Sequence, residues 1–121
     1  MNKNGKVWGS TRLLFQESNV EIHRICIRAG THCSRHKHEH KFNAFYVERG
    51  RIKVEVWKND YDLLDSTELG PDEMTTVAPG EYHRFVGVEE SVVYEIYWVS
   101  LDPGDIVRDG VGGLNEHKEV Q

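Results

Sequence analysis

The sequence predicts an all-β chain, and three observations carry that prediction. Apolar and polar residues alternate with period two along most of the 121 residues, Gly, Pro, Asn and Asp interrupt the alternation at short intervals, and helical periodicity is nearly absent. Such even spacing of short strands points to a sandwich or barrel, where closure or double layering protects edges that an open sheet would expose.

The first strand candidates cover residues 12–15 and 20–28. In the second, Val20 and Ile22 share a parity that Ile25 and Ile27 do not, which predicts a bulge or a change of packing near Arg24. Residues 43–47 put Asn43, Phe45 and Val47 on one face; residues 52–58 put Ile52, Val54 and Val56 on one face, with Lys53, Glu55 and Lys58 mostly on the wet side. The turn Arg49-Gly50-Arg51 between them predicts a hairpin with Asn43 pointing inward. Further candidates at 74–78, 83–88 and 92–99 are set off by Gly70-Pro71-Asp72 and Pro79-Gly80. With a fragment after Gly30, about eight strands result. Along 92–99 one parity carries Val93, Glu95, Tyr97 and Val99, the other Val92, Tyr94, Ile96 and Trp98. Hydrophobicity favours the second set as core and leaves Glu95 wet. Trp57 has outward parity, and with Tyr61 it suits a subunit interface. The Gly-, Asp- and Glu-rich tail, 101–121, reads as a short cap over the barrel or a partly disordered end.

Residues 1–121 fit one domain, and 38% apolar with 10% aromatic residues is enough for a folded core. Fifteen Lys and Arg against twenty Asp and Glu give a net charge of −5 with the signs interspersed, which argues against nucleic acid as a partner. No apolar run reaches the roughly 20 residues of a membrane span, and Met1 to Lys6 lacks a signal-peptide pattern, so a soluble cytoplasmic protein is expected. In that setting Cys26 and Cys33 are expected to be reduced.

The compositional oddity is histidine. Of seven, four (His32, His36, His38 and His40) fall within nine residues. His36 and His38 stand two apart, so an extended backbone offers both imidazoles to one point. A divalent ion needs at least one more ligand, and His83, just after the Pro79-Gly80 turn, is placed to supply it at the inner start of a strand. Asn43 could add a neutral oxygen or hold a metal-bound water. Three imidazoles and a carboxamide leave the ion's +2 charge uncompensated, which favours an anionic ligand or hydroxide. The plain alternative is a solvent-exposed basic loop over residues 35–41.

Gly30, five residues, His36-Lys37-His38, four residues, Asn43, six residues and Gly50 resemble the first motif of the cupin superfamily, with Asn43 at the place of that motif's Glu. The stretch from Gly70 to Pro79-Gly80-Glu81-Tyr82-His83 resembles the second motif, with its Pro-x-Gly contracted and His83 as the last ligand. The resemblance implies a double-stranded β-helix, or jelly roll, with a divalent metal (Zn, Fe, Mn, Ni or Co) held inside one end by His36, His38, His83 and Asn43. Trp8-Gly9 and Asp105-Ile106-Val107-Arg108 are similar to end elements of the cupin domain of type II mannose-6-phosphate isomerases, a family that places Gln where His36 stands and Glu where Asn43 stands.

That finer resemblance implies a sugar-phosphate isomerase with a small anionic or sugar substrate; the cupin resemblance, with Trp57 and Tyr61 outward, implies a homodimer paired through a sheet. A metal in such a barrel polarises a carbonyl or hydroxyl, and aldose–ketose isomerisation also needs a general base. With Asn43 in place of the motif's Glu, His40, Glu95 and Tyr97 are the candidates for it, Glu95 and His40 ahead. Two alternatives stand beside this one. A ligand set of three histidines without a carboxylate also resembles that of iron(II) thiol and diketone dioxygenases, and the same barrel could be a non-catalytic module for a small metabolite.

Overall fold

A computed structural model describes residues 3–58, 63–100, 103–108 and 110–115. Among the described residues there are nine strands: β1 (Lys3–Lys6), β2 (Gly9–Glu17), β3 (Val20–Ile27), β4 (Phe42–Arg49), β5 (Ile52–Lys58), β6 (Leu63–Leu69), β7 (Met74–Val77), β8 (Tyr82–Gly87) and β9 (Ser91–Trp98). They form two sheets, one ordered β1-β2-β3-β9-β4-β7 and one ordered β6-β5-β8, with every pairing antiparallel. No helix among the described residues is long and apolar enough to cross a membrane.

Two faces predicted from alternation lie where they were expected. Asn43, Phe45 and Val47 of β4 are buried, as are Ile52, Val54 and Val56 of β5. The predicted hairpin between them does not form: β4 pairs with β9 and β7, β5 with β6 and β8. Both strands carry an apolar face, and these faces bury each other only if the strands enter opposite sheets, so the chain turns a corner at Gly50 (φ +94°) instead of folding back. Ile25, Ile27, Cys33, Leu69, Val77, Phe85 and Val93 complete the core cluster.

Of the bulge or change of packing expected near Arg24, the bulge lies on the neighbouring strand. β3 pairs with β9 without interruption, whereas the register of β2 against β3 shifts between Leu13 and Phe15. The parity of β3 has a different cause: Glu21 and His23 continue the inward row of Ile25 and Ile27, so Val20 and Ile22 face out. Cys26 shares the outward parity of Arg24, Cys33 is buried, and both thiols are free. Cys33 Sγ accepts the Phe85 N–H at 3.2 Å, and burial pushes the thiol up to about 11.

Trp57 does point outward, but it is half-buried beneath cations: the Arg35 guanidinium lies 4.5 Å and that of Arg84 5.7 Å from its ring. Tyr61, the other half of the expected interface, lies outside the described residues. The tail forms no cap over the barrel among the described residues; residues 103–108 and 110–115 are irregular and exposed.

Candidate metal centre

The site is built on the edge of the small sheet. After β3 the chain runs beside β8, with bridges pairing His32 with Val86 and His36 with His83. His36 and His83 exchange both backbone hydrogen bonds, at 3.0 and 2.8 Å, so their side chains leave the ladder on the same side. Two residues on, His38 keeps that side, and its carbonyl accepts the Gly80 N–H at 2.7 Å. This last bond ties the histidine segment to the Pro79-Gly80 turn that delivers His83. Glu81 locks the same turn: its carboxylate accepts the Ala78 N–H at 3.1 Å and Lys58 Nζ at 2.7 Å.

The three imidazoles converge. One nitrogen from each of His36, His38 and His83 lies within 4.8 Å of the others. The His36 ring lies 4.5 Å from that of His83 and 5.1 Å from that of His38, centre to centre. Backbone carbonyls set the tautomers of two of them. His36 Nδ1 lies 2.7 Å from the Ser34 oxygen and His83 Nδ1 2.9 Å from the Glu81 oxygen. A carbonyl can only accept, so each Nδ1 carries the proton and each Nε2 keeps a lone pair, the arrangement a metal-ligating histidine needs. Burial, reinforced by the neighbouring imidazoles, lowers the His83 pKa and pushes His38 down to about 4, so both rings are neutral near pH 7.

Two observations test whether this set fits a cation. His38 Nε2 is buried with no hydrogen-bond partner among the described residues, which is costly for a polar atom left without one. Asn43, 1% exposed on β4 of the opposite sheet, places Oδ1 3.2 Å from His83 Nε2. With the tautomer above, two lone pairs face each other there, while Asn43 Nδ2 donates to the Ala44 carbonyl at 3.3 Å. A cation relieves that opposition, and two ligand atoms at about 2.1 Å from one ion stand about 3 Å apart when they subtend a right angle. The donor set fits a divalent ion of the borderline class served by imidazole.

Glu95 is not wet. Only 8% exposed, it occupies the inward row of β9 with Val93 and Tyr97, against the core expected from hydrophobicity. Burial raises its pKa, more than the hydrogen bond donated by Tyr97 Oη at 2.9 Å lowers it. Burial likewise raises Tyr97. His40, which strict alternation would align with His36 and His38, is exposed because the chain bends at Glu39 and His40 before entering β4. It lines neither cavity beside the histidines. Arg84 points outward, as alternation next to His83 demands, and donates Nε to Glu55 Oε1 at 2.7 Å.

Two cavities flank the histidines. One, of about 430 Å³, is bordered by His36, Cys33 and Phe85; the other, of about 280 Å³, by His38, His23 and Glu21. Glu95, Tyr97, Trp8 and Lys6 border both. No motif or spacing marks out Glu21 or His23 in the sequence. The signal was present as two polar residues continuing the inward row of Ile25 and Ile27.

Fold and site together define a jelly-roll domain with a three-histidine group that could hold a metal ion. A model of the cupin domain matches residues 23–100, and the chain belongs to that family. Solved structures agree on the fold. KdgF from Halomonas sp. superposes with a TM-score of 0.71 at 16% identity, over 84% of this chain and 89% of that one. The cupin domain of Schizosaccharomyces pombe Cnp3 gives 0.67 at 18% identity, over 83% and 69%. A Bacillus subtilis oxalate decarboxylase structure, described for its Mn(II) centres, gives 0.72 at 12% identity over 81% of this chain and 27% of its own. No curated protein sequence matches the chain.

The fit to a cation yields a test. Asn43→Glu adds an anionic oxygen to the set, and should tighten Mn²⁺ or Zn²⁺ binding at least tenfold in chelator competition. Without metal the same carboxylate is a buried charge, so the apo protein should lose roughly 3 kcal/mol in urea titration. An apo protein as stable as wild type with unchanged metal affinity would show that Asn43 does not face the ion.

Proposed function

We propose that this cupin is a divalent-metal-dependent isomerase of sugar phosphates, similar in chemistry to the type II mannose-6-phosphate isomerases its motifs resemble. The observation that supports this reading best is Glu95, a buried carboxylate on the wall shared by both cavities beside the histidine triad. A divalent cation held by His36, His38, His83 and Asn43 would polarise the substrate carbonyl and the neighbouring hydroxyl. Glu95 takes the proton from the carbon next to the carbonyl and returns it to the former carbonyl carbon; the hydroxyl proton moves to the carbonyl oxygen, so the formula is unchanged. Its raised pKa suits the task, because a base is most effective when its pKa approaches the working pH. Tyr97 Oη, donating to Glu95 Oε2, orients the carboxylate and stabilises its charged state.

The test is a coupled assay of interconversion between mannose, glucose and fructose 6-phosphates by the metal-loaded protein. Glu95→Gln should cut kcat by about 10²- to 10⁴-fold, the usual contribution of a positioned acid–base group, with metal content unchanged. Wild-type protein that converts none of these substrates, or full activity in Glu95→Gln, would refute the proposal. One observation favours a second reading: the ligand set has three neutral imidazoles, a neutral carboxamide and no carboxylate, as in iron(II) dioxygenases of the cupin type. Oxygen uptake by the iron-loaded protein with thiol substrates, in the absence of isomerisation, would select it.

A further inference from the structure

The inner wall formed by β2 and β3 carries polar groups that the proton transfer does not use. β3 and β9 set His23 opposite Glu95 and Glu21 opposite Tyr97, so these four side chains share one inward patch. In a purely structural core this patch would be apolar, as it is at Ile25 and Ile27 further along the same strand. Instead His23 Nε2 lies 2.6 Å from Glu21 Oε2, Thr11 Oγ1 lies 3.5 Å from His23 Nδ1, and Lys41 Nζ lies 3.9 Å from Glu21 Oε1 and 5.3 Å from the centre of the Tyr97 ring. These groups border the 280 Å³ cavity. The triad stands at the junction, since His38 borders that cavity and His36 the larger one, with Glu95 shared.

We propose that the 280 Å³ cavity is the subsite for the phosphate end of a hexose 6-phosphate, with Lys41 as its anion contact and the Glu21–His23 pair reading the adjacent hydroxyls. The carbonyl end then lies at the triad beside Glu95. The inference rests on the sugar-phosphate reading above and deepens it by orienting the substrate. Lys41 and Lys6 are the cations that border this cavity, and a phosphate draws Lys41 from its 3.9 Å contact with Glu21. That frees the carboxylate to accept hydroxyl hydrogen bonds, while Trp8 and Tyr97, which border the cavity, supply apolar surface for the carbon skeleton.

The experiment is calorimetric titration of Mn²⁺-loaded protein with fructose 6-phosphate, fructose and inorganic phosphate. Fructose 6-phosphate should bind at least tenfold tighter than either fragment. Lys41→Met should weaken fructose 6-phosphate about tenfold while leaving fructose affinity and metal stoichiometry as in wild type, and Lys41→Arg should restore most of the loss. Lys41 is exposed, so neither variant threatens the fold. Fructose 6-phosphate binding no tighter than fructose, or unchanged by Lys41→Met, would overturn the subsite. Lys41-dependent binding with no turnover would overturn the isomerase reading and leave the subsite standing; turnover whose KM ignores Lys41→Met would do the reverse.

Discussion

His83→Ala should strip the metal from the barrel while both sheets stay folded. Loss of a partner that merely supports a ligand already costs about 10- to 100-fold in metal affinity, so loss of the ligand itself should exceed the upper end of that range. Elemental analysis of protein from metal-replete growth should then fall from one ion per chain to a trace. Folding should survive for a separate reason. The histidine is 1% exposed, and its removal leaves a small void and an unpaired Glu81 carbonyl, together about 1–3 kcal/mol against the roughly 5–15 kcal/mol of a domain this size. Far-ultraviolet circular dichroism should therefore match wild type. His40→Ala is the control: its exposed ring borders neither cavity, so its metal content should be that of the parent. Full occupancy in His83→Ala, with the fold intact, would remove His83 from the ligand set and with it the metal centre argued above.

What could be read from the residues alone, and what could not, follows from how each feature is encoded. The inward rows Asn43-Phe45-Val47 and Ile52-Val54-Val56 were legible because pleating writes burial directly into alternation. Alternation does not say which strand lies alongside, so the same two rows looked like a hairpin when they face each other across the sandwich. β6 (Leu63–Leu69) escaped notice because, as an edge strand, it exposes nearly every side chain, and β1 (Lys3–Lys6) because it is held by backbone pairing that side-chain patterning does not report. His36 and His38 were legible from spacing, and His83 from the turn before it. Glu95 was inverted for an informative reason. Hydrophobicity assigns the apolar parity of β9 to the core, but around the histidines the interior is polar: Glu21, His23, Asn43, Glu95 and Tyr97 face inward, while Ile22, Ile96 and Trp98 of the same sheet face out. A local rule fails where a site has to be polar.

Gly50→Ala should destabilise the protein by about 3 kcal/mol or more, because the corner between the sheets has no room for a side chain. Its φ of +94° lies in the region that L residues avoid, at a cost of about 1–2 kcal/mol. A Cβ built there would stand 2.4 Å from the Glu90 carbonyl oxygen and 2.6 Å from Ser91 Cα, backbone atoms that cannot rotate away as a side-chain tip would. Relieving that overlap means shifting the start of β9 against β4, at a cost comparable to overpacking a core, about 1–3 kcal/mol. The neighbourhood magnifies the effect, since Ser91 Oγ accepts the Arg51 N–H at 2.9 Å and donates to the Glu89 carbonyl at 2.8 Å, bonds that fix the same corner. The expected readout is a lower urea midpoint with an unchanged m-value. Gly30→Ala separates strain from crowding: that residue also has positive φ (+77°), yet a Cβ there would meet nothing within 4 Å. Its loss should stay near the 1–2 kcal/mol of the backbone conformation alone. Equal losses at the two positions would mean that the backbone of β9 yields to the methyl group, and that the corner is softer than its packing implies.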